Sequence, residues 1–432
     1  MELIAPEPPL AGPVAVAFSG GLDSTVLLHL LAQGEARTRS LRVLHVDHGL
    51  HPDSARWAET CAATCATLGL AFQSVRVQVV DRGDGLEAAA RAARHEGLVA
   101  MQREGELIAL AHHQDDQAET VLLRLLRASG DGLAGMRPLR AFGRGWLWRP
   151  LLAQPRQALQ AYADQHQLRW IEDPSNASER HDRNYLRHSV MPALAARWPH
   201  STASLARSAG LLATQADLLA AEDARRLVRV QGTDPSNLSL PALLQQSPAW
   251  RDRLLRAWVQ ALGLPALPGD ALAIINDEVA LARADSRAEY VWSGAVIRRW
   301  RDGLYAGRPL PPLPKDWRVN WDGRSPLSLP TGDVLRLEPA LGFDAPVLVR
   351  TRQGGERLTQ PQREHSSELK QVLQDLGIPP WQRARLPLLF AADGDLLAAG
   401  NVALSAQLQA WLTARGARLR HEQRPHTDPD AR

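Results

Sequence analysis

Apolar and polar positions divide the first third of the chain into short apolar runs separated by longer helical repeats. Val14-Ala15-Val16-Ala17-Phe18 is a continuous apolar run, as a buried strand requires. Beyond a polar stretch, Val26, Leu27, Leu30 and Leu31 recur with helical spacing, and Gly34 is a natural stop. Residues 41–46 predict a second strand, and residues 54–68 a helix closed by Gly69. Residues 72–79 alternate as a third strand, and 86–104 form an Ala-, Leu-, Glu- and Arg-rich helix. Residues 107–111 predict a fourth strand, followed by a helix over 121–128. A further strand at 146–152 and a helix from Pro155 to residue 165 continue the alternation. Strands alternating with helices in this way imply a doubly wound parallel sheet.

The pattern then changes. Residues 201–229 predict a helical linker, and 240–306 a small, mostly helical domain with strands of a hairpin at Val291-Trp292 and Val296-Ile297. The stretch 309–314 reads as a proline linker. Residues 327–337 and 346–351 are β-rich, a helix follows at 368–376, and Asp393-Gly394-Asp395 breaks an apolar run at 386–399 as a hairpin turn does. The tail from Arg415 is rich in Arg and His. The expected organisation is α/β: a doubly wound catalytic domain at 1–215, a helical domain at 216–310 and a small α+β domain at 325–425.

Composition narrows the class. A chain of 432 residues is too long for one core and divides into two or three domains. Apolar residues make up 45% and charged residues 22%, the balance of a soluble globular protein. No run of 18 apolar residues marks a membrane span, and the N-terminus lacks the basic and apolar regions of an export signal. Cys61 and Cys65 cannot make a disulfide framework. A cytoplasmic location is the expectation. The net charge of +3 does not by itself demand a nucleic-acid partner, although the basic residues are nearly all Arg.

Candidate chemistry concentrates at two strand ends. Ser19-Gly20-Gly21-Leu22-Asp23-Ser24 follows the first strand and opens the first helix. Glycines let backbone amides approach an anion, and the helix start adds unpaired donors and partial positive charge. This is a phosphate site. It is not a Walker A loop, because Lys315 and Lys370 are the only lysines, and it lacks the dinucleotide Gly-x-Gly-x-x-Gly pattern. At the fourth strand's end, His112-His113-Gln114-Asp115-Asp116-Gln117-Ala118-Glu119 sets two histidines and three acids at the edge where parallel sheets bind ligands. Asp116 and Glu119 are three apart and share a helix face. Arg91 and Arg94, also three apart, form either a solvated face or a wall of the cleft. Arg183-Asn184-Tyr185-Leu186-Arg187 has a composition suited to nucleic acid, and equally to a helix cap with a surface ion pair.

The first motif resembles the pyrophosphate loop of the N-type ATP pyrophosphatases, the PP-loop superfamily. The fuller set resembles the bacterial tRNA(Ile)-lysidine synthetases over nearly the whole chain. It comprises Ser19 to Ser24, His45-Val46-Asp47-His48-Gly49-Leu50, Glu87 to Arg91 with Arg94, His113 to Thr120, Trp170-Ile171-Glu172-Asp173 with Ser175-Asn176, Arg183-Asn184 with Arg187, and Leu376-Gly377-Ile378-Pro379-Pro380-Trp381. The resemblance implies ATP-dependent adenylation of the wobble cytidine of a tRNA(Ile) with anticodon CAU. Attack by the ε-amine of free L-lysine then releases AMP. It implies ATP held by Ser19, Gly20, Gly21, Leu22, Asp23 and Ser24, with Mg²⁺ on the catalytic pair Asp23 and Asp116. Asp116, Glu119 and Arg94 fall at the lysine site, where Arg94 also offsets charge on phosphate, and Arg183, Asn184 and Arg187 fall on the tRNA. No membrane partner is implied, and the chain is expected as a monomer or homodimer. One departure stands out: where the family often carries lysines, this chain has Gln362-Arg363-Glu364-His365 and only Lys370.

Two other readings fit the first motif alone. A tRNA thiolation enzyme of the same superfamily needs cysteines in the cleft, and Cys61 and Cys65 are expected mid-helix, away from any strand end. A non-enzymatic ATP-binding module accounts for the sheet but not for the acidic edge.

Overall fold

The computed structural model describes residues 3–81, 85–127, 131–174, 182–283, 288–361, 363 and 365–422. Ser175, Asn176, Gln362, Glu364 and the end of the tail lie outside the described residues, as does the side chain of Glu87. The chain forms two compact units, Met1–Ala221 and Glu222–Arg432.

In the first unit β1 (Val14–Ala17), α1 (Leu22–Gln33), β2 (Arg42–Asp47), α2 (Ser54–Thr67), β3 (Ala71–Arg76), α3 (Leu86–Met101), β4 (Leu107–Ala109) and α4 (Gln114–Leu126) follow the expected alternation. β5 (Leu139–Phe142), β6 (Gly145–Trp148) and α5 (Arg156–Gln165) complete the sheet and its cover. The strand order is β3-β2-β1-β4-β6-β5, with β5 antiparallel to β6 and every other neighbour parallel. The order reverses between β1 and β4, and the carboxyl ends of those strands flank the switch point where such sheets bind ligands.

Both faces of the sheet are covered, which is why its strands read as continuous apolar runs. Val14 and Val16 face one core with Leu27, Leu31 and Leu159, while Ala15, Leu44, Ile108 and Leu147 face another with Leu98 and Met101. Each fully buried leucine contributes about 1.5–3 kcal/mol. At the opposite edge, Arg42 and Glu106 form a buried ion pair at 2.7 Å, and Arg42 is further held by Gln73 and the Met101 carbonyl.

α4 begins at Gln114, seven residues before the helix predicted at 121–128, so Asp115, Asp116 and Glu119 lie within its first two turns. Its N-cap is His113, whose ring accepts from the Asp116 amide at 3.3 Å while Asp116 accepts from the His113 amide at 3.1 Å. Histidine is not a usual cap, and the start signal was therefore absent from the sequence. β3 ends at Arg76, earlier than predicted. After α5 come α6 (Asp182–Tyr185), a π-helical turn (Leu186–Val190), α7 (Met191–Arg197) and the long α8 (Ser201–Val230).

In the second unit the region expected to be mostly helical carries a four-stranded antiparallel sheet. Its members are β7 (Asn237–Ser239), β8 (Glu289–Trp292), β9 (Ala295–Trp300) and β10 (Gly303–Gly307), in the order β7-β10-β9-β8. Trp258 fills its core, fully buried, and donates to the Pro235 carbonyl. The proline stretch is not a free linker: Leu313 is buried in the C-terminal core and Arg385 donates to the Pro311 carbonyl. Further on, strands Arg318–Trp321, Val347–Arg350, Leu388–Phe390, Leu396–Ala399 and Ala403–Leu404 form an antiparallel sheet, with Asp393-Gly394-Asp395 in a turn as expected.

Candidate active site

The glycine turn between β1 and α1 is built for an anion. Gly20 has φ +86°, and Gly21 caps α1. A Cβ on Gly20 would stand 2.6 Å from Ile171 Cδ1 and 2.8 Å from Cys61 Sγ, so only glycine fits. Ile171 also donates its amide to the Gly20 carbonyl at 2.9 Å, which gives the Trp170-Ile171 segment its task. Cys61 therefore lies directly beneath the glycine turn, not remote from it as its mid-helix position suggested. The Ser24 and Thr25 hydroxyls donate back to the Gly21 carbonyl at 3.0 Å. They brace the turn, and the first-turn amides are left as the outward donors.

Asp23 and Asp116 come together. His113 Nε2 lies 3.6 Å from Asp23 Oδ2 and 3.4 Å from Asp116 Oδ2, so one buried imidazole bridges the tips of β1 and β4. Burial opposes a charge on His113, but Asp115, Asp23 and Asp116 outweigh it and push the ring up to about 9. Asp23 Oδ1 and His113 Nε2 are buried without a hydrogen-bond partner among the described residues. Arg156 donates its amide to Asp115 Oδ2 at 2.8 Å and sets its guanidinium 3.8 Å from Asp23 Oδ1. Sequence reading missed Arg156; a basic residue directly after Pro155 at a helix start was its signal.

Glu119 is almost fully buried, and its partners are the arginines expected on RNA. Arg183 Nε donates to Glu119 Oε2 and Arg187 Nε to Glu119 Oε1, both at 2.8 Å. The same two guanidiniums reach Asp116 Oδ1 at 2.8 and 3.1 Å. Burial lowers both guanidinium pKa values, but Asp116 and Glu119 more than reverse this and raise them. Arg183 and Arg187 thus face the acid pair in this structure, and Asn184 lies between them in sequence. The long-range pairing leaves no local mark in the sequence.

Arg94 is close enough to Asp116 to feel its charge, though burial and the neighbouring Arg91 and Arg183 dominate and lower its pKa. This makes α3 a wall of the cleft. His112 Nδ1 accepts from Arg149 Nε at 3.0 Å, and burial followed by Arg149 and Arg94 drives the ring well below its ordinary range. Burial pushes the Cys61 thiol up to about 12, with Cys65 adding to it, and the Cys65 thiol up to about 11. Neither is a nucleophile near neutral pH.

A glycine turn at the switch point, faced by an acid-bearing helix one strand away, defines a PP-loop domain, and the family pattern described in those words matches residues 3–194. Patterns described as the TilS substrate binding domain and the TilS substrate C-terminal domain match residues 238–305 and 347–421. The tRNA(Ile)-lysidine synthase of Xanthomonas axonopodis pv. citri is 52% identical over 422 residues, covering 96% of this chain and 95% of that one. That of Xylella fastidiosa is 51% identical over 423 residues, covering 96% of each, and that of Alkalilimnicola ehrlichii 42% identical over 428 residues, covering 95% and 94%. The chain belongs to the tRNA(Ile)-lysidine synthase family.

Proposed function

We propose that the protein is a ligase that joins free L-lysine to the wobble cytidine of a tRNA(Ile) with anticodon CAU at the expense of ATP. The cytidine carbonyl oxygen attacks the α-phosphorus, and the bond to pyrophosphate breaks. The ε-amine of lysine then attacks the activated ring carbon, AMP leaves with the carbonyl oxygen, and the amine gives up a proton. Family membership supports the reaction. The observation that carries it at the site is the convergence of Asp23 and Asp116 on His113 beside the glycine turn.

In this reading Ser19, Gly20, Gly21, Leu22, Asp23 and Ser24 hold the phosphates of ATP through first-turn amides. Asp23 and Asp116 would hold Mg²⁺. Two carboxylates plus substrate phosphates are an ordinary set for that ion, and Asp23 Oδ1, buried without a hydrogen bond among the described residues, fits a cation. When bound, Mg²⁺ would neutralise charge on the departing pyrophosphate. Arg94 offsets the charge developing on the α-phosphate. Asp116 and Glu119 supply the negative charge that receives the lysine ammonium. In this structure Arg183 and Arg187 occupy those oxygens. We read them, with Asn184, as a group that tRNA draws away, which frees the acids for lysine.

The catalytic domain spans 1–215, a tRNA-binding domain 216–310 and a second 325–425; separate apolar cores support the division. The reaction belongs in the cytoplasm, where ATP and tRNA meet. Incubation with ATP, labelled lysine and unmodified tRNA tests the proposal. Label on the tRNA is expected, whereas sulfur transfer or ATP binding without turnover overturns it. Glu119→Gln is expected to raise the lysine requirement at least about tenfold with ATP affinity retained, a loss of about 1.4 kcal/mol or more; an unchanged lysine dependence removes Glu119 from the lysine site.

A further inference from the structure

We infer that Arg140 on β5 and Arg149 just after β6, beside Arg94 of the cleft, form a phosphodiester grip for the RNA flanking the nucleotide presented to Asp23 and Asp116. The inference deepens the proposed function and rests on it for the identity of the polyanion.

Arg149 is 7% exposed, yet neither of its side-chain hydrogen bonds goes to an acid. Its Nε donates to the neutral His112 ring at 3.0 Å and its Nη1 to the Arg137 carbonyl at 2.7 Å. Arg140 stands 5.3 Å over the Phe142 ring. Among the described residues, no carboxylate lies within ion-pair distance of Arg94, Arg140 or Arg149. Phe142 gathers them: Arg140 stands over its ring, and His95, next to Arg94 on α3, packs against the same ring. His95, edge-on to Phe142 at 5.5 Å, is driven down to about 4 by burial and then by Arg94, Arg140, Arg91 and Arg149. Burial lowers Arg149 itself to about 10, with Arg140, Arg91, Arg124 and Arg94 adding to it.

Gathering like charges in a half-buried basin opposes folding unless an anion joins them. The neighbouring acids do not serve, because Asp116 and Glu119 are already engaged by Arg183 and Arg187. The guanidinium fork matches phosphate oxygens in pairs. Arg140 and Arg149 come from two neighbouring elements, a spread suited to successive phosphates of one strand. ATP has its own amide cradle at the glycine turn.

The test uses the full chain and a CAU-anticodon tRNA transcript titrated across a KCl series, with ATP affinity measured in parallel. Arg140→Ala is expected to weaken tRNA binding roughly three- to tenfold and to lower the slope of log Kd against log salt by about 0.7, the value for one phosphate contact on a single strand. Adding Arg149→Gln should lower the slope by about as much again, and Arg140→Lys should restore most of it. If Arg149→Gln does not fold, the Arg140 pair alone decides. An unchanged affinity and slope in Arg140→Ala overturns the inference. So does a loss of ATP affinity with tRNA binding intact, which would assign the basin to nucleotide phosphate. If the slope falls but no lysine reaches the tRNA, the basin stands and the proposed reaction fails; if lysine is incorporated and the slope is unmoved, the reverse holds.

Discussion

Gly20 carries the tightest constraint on the turn between β1 and α1. Its positive φ and its contact with Ile171 and Cys61 act together, so Gly20→Ala should lower stability by about 1–3 kcal/mol and weaken ATP binding. Denaturant titration and calorimetric binding measure the two effects, and a variant that kept both at wild-type levels would show that the turn relaxes freely. Cys61, the sulfur beneath the turn, is a packing group. With its thiol pushed up to about 12, it should resist alkylation at neutral pH, and Cys61→Ala should leave lysine transfer within about twofold. Loss of transfer in a folded Cys61→Ala would reopen sulfur chemistry. His95 ties the arginine basin to stability. Its folded pKa, down to about 4, lies below the ordinary 6.5, so the unfolded chain binds the extra proton as pH falls between those values. Stability should decline as pH drops through that window, and His95→Gln should flatten the decline in denaturant midpoints taken at pH 7 and pH 5.

At the scale of elements, α4 acts as the hub onto which the segment 182–190 docks through Arg183 and Arg187. Glu119→Gln leaves two guanidiniums short of a counter-charge, so amides of 182–190 should exchange faster while those of β1 and β4 hold. Uniform exchange across the unit would mean that the ion pairs do not secure the segment. The strands β1, β2 and β4 were legible because buried parallel strands leave continuous apolar runs, and the glycine turn was legible because its chemistry is local. The start of α4 was not, since a histidine caps it. The sheet β7–β10 was read only in part: the hairpin turning at Ser293-Gly294 was legible, but β7 is three residues long and the turn into β10 places Arg301 at positive φ, a position that carries no turn signature of its own. Of the site, Asp23, Asp116 and Glu119 could be read from their places at strand tips. The pairing of Arg183 and Arg187 with Glu119 could not be assigned, because contacts spanning more than 60 residues leave no periodic trace.

For the whole molecule, each unit has its own apolar cores, although α8 runs from one into the other. The net charge of +3 is too small for a general attraction to RNA, so affinity must come from local arrangements such as the arginine basin. Separate cores also imply separable unfolding. ATP at the glycine turn should stabilise the first unit alone, by about 2.7 kcal/mol at a hundredfold excess over its Kd. In the second unit Asp333 is fully buried against Arg385 at 2.8 Å, with His421 at 3.5 Å. Asp333→Asn strands that arginine and should cost about 3–5 kcal/mol there. In scanning calorimetry of the full chain, two transitions are therefore expected. ATP should raise one of them and Asp333→Asn should lower the other, each leaving its counterpart in place. A single transition that shifts under both perturbations would mean that the continuous helix couples the units into one cooperative fold. Stability gained from nucleotide would then reach the second unit as well as the first.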